Sequence, residues 1–117
     1  MALIGTHIST AGGLDRAFPR ADALECEAMQ IFTRNQRQWQ TRPVSLEEAE
    51  SFYRAWQNSF VKSVVSHASY LINIASADEI TLEKSRRALL EETERCSRLG
   101  IYDIVLQPGY SKESSQE

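Results

Sequence analysis

Residues 31–39 read IFTRNQRQW, and between Arg34 and Arg42 the chain holds three arginines, Arg34, Arg37 and Arg42, without an acid. Guanidinium groups interleaved with Asn35, Gln36, Gln38 and Trp39 are suited to gripping phosphates and stacking on bases. The same residue types also cover helices and subunit interfaces, so the loop alone leaves both uses open. Two histidines, His7 and His67, close other apolar runs, in IGTHIS and SVVSHASYLIN. A lone histidine at a strand end is more often a hydrogen-bonded core residue than a ligand, because a metal needs several convergent donors. Tyr70 and Leu71 behind His67 equally suit ordinary packing.

The elements that must position these residues are legible as alternation. Four strand-length apolar runs occur at 2–8, 28–32, 63–67 and 103–106. Three helical segments lie between them. The second, 45–58, opens on Ser45-Leu46-Glu47-Glu48, a capping box, and carries Ala49, Phe52, Tyr53 and Trp56 as an amphipathic stripe. The third is capped by Ser76-Ala77-Asp78-Glu79, lines up Leu82, Leu89, Cys96 and Leu99, and ends at Gly100. The charged run EKSRRALLEETER reads as its solvated face. The first helix, near 13–24, must accommodate Pro19 in its first turn or kink there. Strands alternating with helices predict an α/β fold with a parallel sheet joined by right-handed crossovers. In such folds working residues gather beyond the carboxyl ends of the strands. That rule brings His7, the 34–42 loop and the 67–73 loop to one rim.

Composition bounds the rest. With 117 residues, 42% hydrophobic and 25% charged, the chain suits one domain or part of one. A net charge of -3 excludes a generally basic nucleic-acid coat, so any anion contact must be local. Cys26 and Cys96 lack metal or redox spacing and read as core thiols of a cytoplasmic protein. No apolar run approaches the roughly 20 residues of a membrane span.

Together, IGTHISTAGGL (4–14), QIFTRNQRQW (30–39), SHASYLINIAS (66–76) and EKSRRALLEETERCSRLGI (83–101) resemble the N-terminal part of endonuclease IV, a family of zinc-dependent apurinic/apyrimidinic endonucleases of base-excision repair. The resemblance runs to about Leu106. It implies a TIM barrel whose C-terminal face holds three zinc ions and cleaves the phosphodiester 5′ to an abasic site in double-stranded DNA. It assigns Arg37 as a wedge entering the base stack, with Tyr70 and Leu71 serving the same task. Asn35, Gln36 and Trp39 shape that loop; apart from the resemblance, the arginines Arg34, Arg37 and Arg42 suit phosphate contacts. His67 is a zinc ligand by the same comparison, and His7 a supporting residue.

The chain departs from the family at Gln107, where a zinc-ligating histidine is expected before Pro108-Gly109. An amide is a poor zinc donor beside imidazole. Since a barrel needs about 200 residues, the expectation is a partial barrel over 1–109, of three βα units and a fourth strand, with a disordered polar tail over 110–117. Stoichiometric zinc is not expected. Three functional readings follow: a fragment inactive alone, a non-catalytic binder of abasic DNA, or an enzyme completed by another chain. The open edges, with an inner apolar layer of Leu3, Ile31, Val64, Val65 and Val105, predict self-association.

Overall fold

A computed structural model describes residues 5–69 and 71–106. Leu3, Tyr70, Gln107 and the predicted tail at 110–117 lie outside them. The order is β1 (Gly5–His7), a short 3-10 turn (Leu14–Arg16), α1 (Ala17–Ala23), β2 (Ala28–Ile31), α2 (Leu46–Gln57), β3 (Ser63–His67), α3 (Glu79–Leu99) and β4 (Asp103–Val105). All three strand pairings are parallel, and the sheet order is β1-β2-β3-β4. Sequential parallel neighbours joined through helices form the opening arc of a βα barrel.

The helices form where their signals stand. Ser45 Oγ accepts from the Glu48 amide at 3.0 Å, and Glu48 answers by accepting from the Ser45 amide. Pro19 falls in the first turn of α1, where a missing N–H costs nothing. Gly100 ends α3 in the left-handed conformation, φ 78°, with Ile101 N–H donating back to Cys96 O at 2.9 Å. The cap at the other end of α3 is Asp78, which accepts from Thr81 N–H, while Ser76 bonds the Asp78 amide one step earlier.

The core lies between the sheet and the helices. Phe18, Phe52 and Trp56 form an aromatic cluster with centroids 4.9 to 6.0 Å apart, and Met29, Ile31, Val64 and Leu99 close over it. Tyr53, expected on this stripe, is 63% exposed. Strand alternation also corrects the expected inner layer. Ile31 and Val64 face the helices, whereas the concave face carries His7, Gln30, Val65 and Val105. Gly5 belongs there because a Cβ would collide with the Ala28 carbonyl of the neighbouring strand.

The larger difference concerns α3. Its run EKSRRALLEETER is not simply a solvated face. Ser85, Ala88, Glu92, Arg95, Cys96 and Leu99 are buried, while Leu82 and Leu89 are half-buried at the margin. The inward face is rotated away from the leucines toward polar side chains.

Candidate nucleic-acid interface

The loop after β2 is built from short local turns. Asn35 Oδ1 accepts from the Arg37 amide at 2.8 Å, and Gln36 Nε2 donates to Arg34 O at 3.1 Å. These Asx-type contacts leave Arg37 exposed at the tip. Arg34 has a different place from the one expected. It is 8% exposed, and its guanidinium donates to the carbonyls of Gln38 (2.9 Å) and Trp39 and pairs with Glu91 at 3.4 Å. A guanidinium held by its own loop has little left for a phosphate, so the positive edge reduces to Arg37 and Arg42. Arg42 is exposed and faces Glu48 at 3.7 Å. Asn35, Gln38, Trp39, Gln40, Thr41 and Arg42 line a polar hollow on the same edge.

The loop after β3 meets this one. Ser69 Oγ donates to Gln36 O at 3.3 Å. Half-buried Trp39 packs against the cluster of Ala68, Ile72 and Ala88, with Lys84 Nζ 5.9 Å from its ring centre. Leu71 is half-buried, and its amide donates to Ser69 Oγ at 3.2 Å. The Asn73 amide donates to Ser85 Oγ on α3 at 2.8 Å. The two loops form one rim backed by one helix. Tyr70 lies outside the described residues.

On the concave face, Phe32 sits between the histidines, its ring 4.5 Å from His7 and 5.4 Å from His67. His67 Nδ1 is 2.7 Å from Ala68 O. A carbonyl only accepts, so the proton resides on Nδ1, and in the neutral ring Nε2 carries the lone pair. That is the arrangement in which a backbone carbonyl orients a metal-ligating histidine. His7 differs: Gln30 Nε2 lies 3.4 Å from its Nδ1. An imidazole that accepts there carries its proton on Nε2 and offers no second lone pair. Desolvation, then the nearby His67, holds the His7 imidazole below its ordinary pKa. Among the described residues no three His, Cys, Asp or Glu side chains converge on a metal position. Of the donors a zinc ion would need, the concave face offers His67 Nε2 among the described residues.

Reading the sequence for exposed cations missed the polar groups behind the rim. Arg95 donates to Arg42 O at 2.6 Å and to Thr33 O, gathering both ends of the β2 loop. Arg98 donates to Val44 O at 3.0 Å. Helical spacing could have found Glu92, because it shares a stripe with Ala88, Cys96 and Leu99.

A four-stranded parallel arc with its loops gathered at the strands' carboxyl ends defines an incomplete TIM barrel. The chain belongs to the xylose isomerase-like TIM barrel family, whose description matches residues 18–117. It is 45% identical over 100% of its length to the probable endonuclease 4 of Halorhodospira halophila. Against the probable endonuclease 4 of Chloroflexus aurantiacus it is 41% identical over 93% of its length. The crystal structure of endonuclease IV from Thermus thermophilus superposes with a TM-score of 0.87 at 35% identity, covering 95% of this chain. The resemblance to endonuclease IV and the partial-barrel expectation are thereby borne out. The matches take in 39%, 38% and 42% of those three proteins, so the chain spans about two fifths of their length. No helix among the described residues is long and apolar enough to cross a membrane.

Proposed function

We propose that this chain is the DNA-gripping portion of an endonuclease IV-type nuclease, recognising abasic sites in duplex DNA and inactive in cleavage by itself. The observation that carries this reading is the single rim, in which Gln36 and Ser69 join two loops and leave Arg37 exposed at the tip. An exposed arginine at the tip of a turned loop can enter a base stack where a base is missing, since the gap removes part of the unstacking cost. Leu71, and by the family resemblance Tyr70, would border the same gap. Asn35 and Gln36 set the turn, Trp39 anchors it, and Arg42 supplies a phosphate contact. Arg34 serves from behind as the loop's internal tie.

His67 would supply one ligand, through Nε2, to a zinc ion whose other donors lie outside the described residues. When bound, zinc supplies a hydroxide nucleophile and charge stabilisation for phosphodiester hydrolysis. The described residues provide too few donors for that chemistry, and no catalytic step is assigned to them. A non-catalytic binder of abasic DNA is the second reading. It rests on the same rim, which the Ser69–Gln36 hydrogen bond joins.

The test combines three readouts on the 117-residue chain. Titrating an abasic duplex into ¹⁵N-labelled protein should shift amides of residues 35–42 and 67–73 and leave α1 and α2 unmoved. Elemental analysis should find no two or three tightly held zinc ions per chain, and gels should show no nicking. Shifts centred on the outer helices would overturn the interface. Chelator-sensitive nicking that His67→Ala abolishes would overturn the inactivity.

A further inference from the structure

Glu92 is fully buried on the inward face of α3. Its carboxylate accepts from Thr33 Oγ1 at 2.7 and 2.9 Å, from Ser66 Oγ, and from the Cys96 thiol at 3.4 Å. Packing alone does not require this. A leucine there would fill space but strand two buried hydroxyls, and a buried carboxylate persists only when its acceptors are fully used. The positions of the two hydroxyls are specific. Thr33 leads directly into the β2 loop, and Ser66 immediately precedes His67 on β3. One carboxylate thus spans the carboxyl ends of two neighbouring strands. One turn further on, Arg95 grips Thr33 again, donating from Nε to its hydroxyl at 3.3 Å.

We infer that Glu92 is a positioning residue, fixing the end of β2 against the end of β3 so that the Arg37 loop and the His67 ring keep one relative geometry. This deepens the proposed function and rests on the reading that the rim meets DNA. The carboxylate touches neither DNA nor metal and acts through Thr33 and Ser66. A carboxylate suits the task better than an amide, because it accepts from both hydroxyls at once and is complemented by the neighbouring Arg95 charge.

The test is amide hydrogen exchange, followed by NMR on the full chain, with Glu92→Gln, Thr33→Val and Thr33→Ser. Thr33→Val keeps shape and removes the hydroxyl, whereas Thr33→Ser keeps the hydroxyl. Losing a charge-assisted bond should speed exchange at the Arg37, Leu71 and Asn73 amides by about tenfold or more, through local opening. Amides of α1 and α2 should exchange as in the parent, and Thr33→Ser should match the parent throughout. The ratio of abasic to intact duplex affinity should fall in Glu92→Gln and Thr33→Val and hold in Thr33→Ser. Should Glu92→Gln fail to fold, Thr33→Val decides. Exchange that accelerates equally in α1, α2 and the rim would make Glu92 a general stabiliser and overturn the inference, as would unchanged rim exchange. If the parent shows no abasic preference, the DNA reading fails, while the exchange pattern still judges the positioning role.

Discussion

The hydroxyl of Ser69, in the loop after β3, donates to the main-chain oxygen of Gln36, in the loop after β2, at 3.3 Å. The same hydroxyl accepts from the Leu71 amide at 3.2 Å, so one small side chain joins the two loops and shapes the second. Ser69→Ala removes both bonds at a buried position. It should lower stability by about 1 to 2 kcal/mol in urea unfolding. A variant as stable as the parent would show that the loops stand independently.

Arg34 and Arg37 are three residues apart in one loop and should respond oppositely to truncation. Arg34 is buried and tied to Gln38, Trp39 and Glu91. Arg34→Ala should cost roughly 2 to 3 kcal/mol, because the carbonyls and the half-exposed Glu91 lose their donor. Arg37 is exposed, and Arg37→Ala should change stability by no more than about 0.5 kcal/mol. Paired urea titrations read the difference, and equal losses would remove the distinction between tie and tip.

Much of this fold was legible because its signals are local. The capping box at Ser45, Gly100 at the end of α3 and the run at 63–67 each state their structure within a few residues. Endonuclease IV likeness was legible from four motifs whose order and spacing are more specific than any one of them. The inward face of α3 was legible only in part, through Cys96 and Leu99 on the expected stripe. Glu92 and Arg95 carry the charge expected of a surface, and only their partners Thr33 and Ser66, distant in sequence, make burial affordable. Arg34 was misread for the same reason, since an arginine's exposure depends on carbonyls that the loop itself turns inward.

Burial pushes the Cys96 thiol up to about 12, with the adjacent Glu92 carboxylate adding to the effect. The native state therefore holds this proton more tightly than the unfolded chain, whose cysteine ionises near 9.0. The stabilisation is complete below pH about 9 and is lost as pH rises toward about 12, at about 1.4 kcal/mol per pH unit. Other groups titrate in this range, so the measurement is the difference in urea stability between parent and Cys96→Ala from pH 7 to 11. The difference should shrink only above pH about 9. A constant difference would mean that the thiol ionises without unfolding.

The sheet runs β1-β2-β3-β4, which places β1 and β4 at its edges. Val65 and Val105 line a concave face that a closed barrel would fill. The 117-residue chain should self-associate, and light scattering across micromolar concentrations should show mass rising with concentration. A constant monomer mass with cooperative unfolding would show that the arc is self-sufficient.

The central claim is that the rim recognises a missing base through Arg37. The most direct measurement is fluorescence anisotropy at low salt with matched intact and abasic duplexes, using the parent chain and Arg37→Ala. With Arg34 committed inside the loop, Arg37 and Arg42 remain for phosphates, so log affinity should fall against log salt with a slope of about -2. The parent should prefer the abasic duplex, and Arg37→Ala should erase most of that preference while still binding intact DNA weakly. Equal affinity of the parent for both duplexes, unchanged by Arg37→Ala, would contradict the account.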